Sequence, residues 1–91
     1  MVLLNEKTLE EILEYLEKSI SNLAKESFEN LEIEGGFDGI MSFLENQFEI
    51  RLENLLNSKE SSIHHLESGM KNKVIQRKQK IIHQISQQYK I

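Results

Sequence analysis

Three histidines, His64, His65 and His83, are the side chains of this sequence best suited to hold a metal ion or to move a proton near neutral pH. His64 and His65 are adjacent, so on a helix their side chains diverge by about 100° and cannot share one ion. His83 lies eighteen residues further on, and neither HxxxH nor HExxH occurs, which reads as surface histidines rather than ligands. The carboxylate pairs Glu10 with Glu14 and Glu49 with Glu53 have the i,i+4 spacing found in di-metal four-helix bundles. The ExxH partner of that chemistry is absent, so a solvated acidic face is the simpler account. No serine stands in a GxSxG elbow, and the chain has no cysteine to act as a nucleophile, form a disulfide or ligate through sulfur. The sequence thus predicts no enzyme, no cofactor and no metal site, and it points to binding.

Charge is unevenly distributed. Met1 to Glu67 holds 15 acidic and 5 basic residues, whereas Ser68 to Ile91 holds 6 basic residues and no acidic one, within a net charge of −4. The basic residues Lys71, Lys73, Arg77, Lys78 and Lys80 are the candidates for contact with a polyanion, through phosphate neutralisation that weakens with salt. The competing reading is complementarity between the basic tail and the acidic first helix or an acidic partner. It is preferred because the tail carries one aromatic residue, Tyr89, and no recognition motif, while the acidic body repels nucleic acid.

These residues must be placed by helices. Leu9, Ile12, Leu13, Leu16, Ile20, Leu23, Ala24, Phe28 and Leu31 recur at spacings of three and four, predicting a helix over about 8–33. Within this stripe Leu9, Leu13, Leu16, Ile20 and Leu23 follow a coiled-coil spacing. Thr8 with Glu11 three residues on reads as its capping box. The stretch EGGFDG at 34–39 then predicts a corner: Gly35 and Gly36 as helix-terminating residues with positive φ, Asp38 as the next N-cap, and Phe37 as a plug at the junction. It lacks the GxGxxG or GK[ST] pattern of a phosphate loop.

A second helical region over about 39–90 carries Ile40, Phe43, Leu44, Phe48, Leu52, Leu55 and Leu56, with candidate breaks near 57–62 and 69. Asn57 with Glu60 is a capping-box pattern that would start a new helix there, giving three or four helices in all. Without that break, the region would be one helix of about 51 residues and roughly 75 Å. Its overhang would need a partner to cover Ile63, Leu66, Met70, Val74, Ile81 and Ile85, which are therefore the candidate partner-binding residues. Val74, Ile81, Ile85 and Tyr89 form one stripe of the tail, with Ile75, Ile82 and Lys78 on a neighbouring one.

The tripeptide Phe37-Asp38-Gly39 resembles the aromatic-x-glycine of the WXG-motif secretion partners of type VII systems, with Phe in place of Trp. The resemblance implies a helical hairpin that dimerises and acts as a secreted partner or chaperone. The chain departs from the family in having no tryptophan and no tyrosine in its tail followed by an acidic residue four places on.

The fold expected is all-α: a single-domain antiparallel helical hairpin, either plain or elaborated to three or four helices, in a dimeric bundle or coiled coil. At 91 residues and 38 % hydrophobic content, burial is modest enough that help from a partner chain is expected. The functional expectation is a non-enzymatic protein–protein interaction module: a small adaptor, chaperone or inhibitor of the kind encoded by bacteria and their phages. A homodimer and a larger protein are the expected partners. The alternatives are a nucleic-acid-associated regulator using the basic tail, the type VII partner, and an acidic mimic of nucleic acid. MVLLNEK is not a secretory signal, and no run approaches the ~18 apolar residues of a membrane span, so a cytoplasmic location and no membrane partner are expected.

Overall fold

The computed structural model describes residues 5–30, 35–59 and 66–89, which form three α-helices: α1 (Glu6–Asn30), α2 (Gly36–Ser58) and α3 (Ser68–Tyr89). No strand occurs among the described residues.

In α1 the predicted stripe is buried at Leu9, Ile12, Leu13, Leu16, Ile20 and Ala24, and Ser27 extends it. Leu23 and Phe28 pack at its edges, while Leu31 lies outside the described residues. The helix starts earlier than Thr8. Asn5 Oδ1 accepts the Thr8 amide at 2.8 Å, and the Asn5 carbonyl accepts the Leu9 amide at 3.0 Å. An asparagine carbonyl reaches the third helical amide as well as a hydroxyl does, so Asn5 is the cap and Thr8 an interior residue.

The glycine corner does adopt positive φ, with Gly35 at 95° and Gly36 at 62°. It opens α2, however: Gly35 is the N-cap and its carbonyl accepts the Gly39 amide at 3.2 Å. Asp38 consequently sits in the first turn, where its charge faces the positive end of the helix dipole, and not at the cap. A Cβ at Gly35 would come within 3.1 Å of the Gly39 Cα, so a side chain there meets both backbone strain and a tight contact with the following turn. Gly35→Ala is expected to lower stability by about 1–3 kcal/mol. By contrast Gly69→Ala, in the first turn of α3 with open space around it, is expected to be neutral or slightly stabilising. Parallel thermal melts of the two variants check this, and equal melting temperatures would refute it.

The second helical region is broken. At its end, α2 tightens: the Ser58 hydroxyl donates to the Leu55 carbonyl at 2.7 Å and the Lys59 amide to the Leu56 carbonyl at 3.0 Å. Asn57 therefore belongs to the last turn of α2 and caps no new helix; Glu60 lies outside the described residues. Helix α3 begins instead behind Glu67, whose carbonyl accepts the Lys71 amide at 2.9 Å, and Gly69 falls inside its first turn without a bend.

Cross-helix pairs set the register. Lys73 with Glu6 and Arg77 with Glu10 step in the same direction, so α1 and α3 run parallel. Arg51 on α2 donates to Ser19, and Phe37 at the start of α2 meets Phe28 near the end of α1, so α2 runs antiparallel to both. The up-down-up bundle measures 44 × 20 × 18 Å. Its radius of gyration of 14.0 Å exceeds the ~12 Å of a rounder domain of this length, as expected for a short rod.

The core is one cluster contributed by all three helices. Ile40, Leu44, Phe48, Leu52 and Leu56 supply a single i,i+4 ridge from α2, and α3 closes over α1 and α2 with Met70, Val74, Ile81 and Ile85. Phe28, Phe37 and Tyr89 form an aromatic end-plug; the Phe28 and Tyr89 rings stack 4.4 Å apart, and Phe28 tilts against Phe37 at 5.8 Å. Phe37 thus plugs the corner as its position predicted.

Candidate functional site

Folding back of α3 changes the meaning of the predicted partner-binding residues. Leu66, Met70, Val74, Ile81 and Ile85 are buried in the chain's own core, and Ile63 lies outside the described residues. From Leu66 onward the stripe expected on an overhang is covered intramolecularly, because α3 runs antiparallel to α2 and packs on the same core. A partner could reach these side chains only by opening the bundle.

The basic residues of α3 divide into two groups. Arg77 meets Glu10 on α1, Lys73 Nζ lies 3.5 Å from Glu6 on α1, and Lys78 Nζ lies 2.7 Å from Glu49 on α2. Lys71 and Lys80 are exposed and form no ion pair among the described residues. Complementarity between the tail and the acidic helices is therefore built into the fold. Each pair is partly solvated and contributes at most about 1 kcal/mol, so their main effect is to fix register and orientation.

Histidine placement gives no clustered ligands. His83 is exposed on α3, and His64 and His65 lie outside the described residues. Among the described residues no three histidine or carboxylate side chains converge on a common point, and Glu10 and Glu49 instead face cations of α3. No described helix is long and apolar enough to cross a membrane.

The open feature of the surface is a groove between α2 and α3, which pack less closely against each other than either packs against α1. It encloses about 870 Å³. Phe37, Met41, Val74, Ile75 and Ile82 give it an apolar floor, and Ile75 is 52 % exposed there. Asp38, Glu45 and Glu49 line the α2 side, whereas Lys71, Lys78 and His83 line the α3 side. The Lys78–Glu49 pair spans it. A smaller depression of about 400 Å³ between α1 and α2 is lined by Tyr15, Leu23 and Arg51, among others. Arg51 is committed there to Ser19, and to Gln47 Oε1 at 3.3 Å.

The groove residues on α3 had a signal in the sequence, since Ile75, Lys78 and Ile82 form a second stripe beside the core stripe. Met41 and Glu45 had none of their own, and Glu49 stood out in the sequence only through its i,i+4 spacing to Glu53. They become a site only because α3 returns alongside α2.

Comparison of the chain with protein-family models, with curated proteins and with solved structures finds no match. The tripeptide resembling the WXG motif occupies the first turn of α2, and the α1–α2 hairpin that carries it is closed by a third helix.

Proposed function

We propose that this protein is a non-catalytic interaction module whose contact face is the α2/α3 groove. The observation that carries the reading is an apolar floor, with Ile75 half exposed, between an acidic and a basic wall. An amphipathic helix seated there would bury Ile75, Met41 and Ile82 and meet both signs of charge, which is the physics of helix-in-groove recognition. An adaptor, chaperone or inhibitor role is compatible with such a face. The basic residues lend less support to a polyanion site, because Lys73, Arg77 and Lys78 are already opposed by carboxylates.

A photo-crosslinking residue placed at Ile75 in cells tests this, with the same residue at the equally exposed Ile50, outside the groove, as control. A discrete protein adduct is expected from Ile75, suppressed by Met41→Glu, and none from Ile50. Equal labelling from both positions, or insensitivity to Met41→Glu, would refute the groove as the contact face.

A further inference from the structure

We infer that the occupant of the α2/α3 groove is a second copy of this chain, packed about a two-fold axis parallel to the long axis of the bundle. The inference rests on the proposed role of the groove and deepens it by naming the partner. Its basis is the segregation of charge across the face: Asp38, Glu45 and Glu49 on α2, Lys71 and Lys78 on α3.

A two-fold axis lying in this face and perpendicular to the helices would set α2 on α2 and α3 on α3, opposing carboxylate with carboxylate and lysine with lysine. An axis parallel to the helices exchanges the two, so that α2 of each copy lies on α3 of the other. This rotation preserves height along the bundle. Glu49 and Lys78 already share one height, because they pair at 2.7 Å within the chain. Glu49 of each copy therefore meets Lys78 of the other, making a ring of four alternating charges flanked by Met41, Ile75 and Ile82. Like-charge opposition disfavours the first arrangement, and charge complementarity selects the second.

The face is also large enough. Helices of 23 and 22 residues run about 33 Å, and with the bundle width of 20 Å the face offers at most about 660 Å² per copy, which reaches the lower end of the range for specific interfaces.

The test is light scattering coupled to size exclusion on the full chain over a concentration series, with circular dichroism to verify folding. Wild-type protein is expected to be a dimer. Glu49→Lys and Lys78→Glu, each alone, oppose like charges across the axis and should weaken self-association at least about tenfold. Mixing these two variants restores opposite charges only between unlike copies, so a 1:1 heterodimer is expected, and the double variant should dimerise with itself. If either charge variant fails to fold, Ile75→Glu, at a half-exposed position, serves instead and should yield a folded monomer.

Wild-type protein that stays monomeric, a dimer indifferent to Lys78→Glu and Ile75→Glu, or folded charge variants that do not pair on mixing would each overturn the inference. The fate of the groove itself is read separately. A foreign protein crosslinked at Ile75, with monomeric wild type, overturns the second copy and leaves the interaction role standing, whereas no adduct at all with monomeric wild type overturns both.

Discussion

Replacing Phe48 by alanine is expected to lower the unfolding free energy by about 3–5 kcal/mol. Phe48 heads the fully buried side chains by volume, at 0 % exposure, and lies midway along the ridge by which α2 enters the core. Truncation removes the transfer free energy of the ring and leaves a cavity that the surrounding Leu and Ile side chains can fill only in part. A domain of this length has a total stability of roughly 5–14 kcal/mol, so the loss is a large fraction of it. Urea unfolding followed by helical circular dichroism measures the change. A loss under about 1 kcal/mol, the scale of a surface substitution, would mean that this ridge of α2 does not face the common core of the three helices.

Ile81→Asp is expected to unfold the chain or to cost about 4 kcal/mol or more, because it places a carboxylate where no water reaches. Ile81 is 1 % exposed in the middle of α3. The same experiment separates the two arrangements that the sequence left open. On an overhanging helix, Ile81→Asp would leave a folded hairpin and remove only association. In the bundle it removes the fold, and Ile75→Glu on the same helix, at a half-exposed position, should change monomer stability by less than about 1 kcal/mol. Similar denaturation midpoints for the two variants would refute this assignment of the faces of α3. Measuring both at low protein concentration keeps self-association from contributing.

The corrections at the helix ends share one physical cause. Asn5 rather than Thr8 caps α1, Gly35 rather than Asp38 caps α2, and Asn57 closes α2 rather than opening a helix. In each case two or three nearby residues have side chains or backbones able to satisfy the same terminal amides. A difference of a few tenths of a kcal/mol among them is settled by how the adjoining helix packs. At the end of α2, Asn57 to Lys59, the competition mattered more, because a helix that ran on would have carried Leu66 to Ile85 away from this chain's core.

What the sequence determined by itself was periodic and local. Helical spacing in Leu9 to Phe28, in Ile40 to Leu56 and in Val74 to Tyr89 identified which face of each helix is apolar, since that face depends only on 3.6 residues per turn. The positive-φ glycines were legible because only a residue without a Cβ enters that region freely, and Phe37 because it is the one large apolar side chain of that corner. Only the tertiary structure decided where α3 lies, because its apolar stripe could be satisfied equally by this chain or by a partner, and hydrophobic burial carries no address. Once α3 returns parallel to α1, Glu6 and Glu10 meet Lys73 and Arg77, Glu49 meets Lys78, and the second stripe of Ile75 and Ile82 comes to line a charged groove together with Met41. These residues are separated by up to 67 positions, and no local pattern links them until the chain has folded.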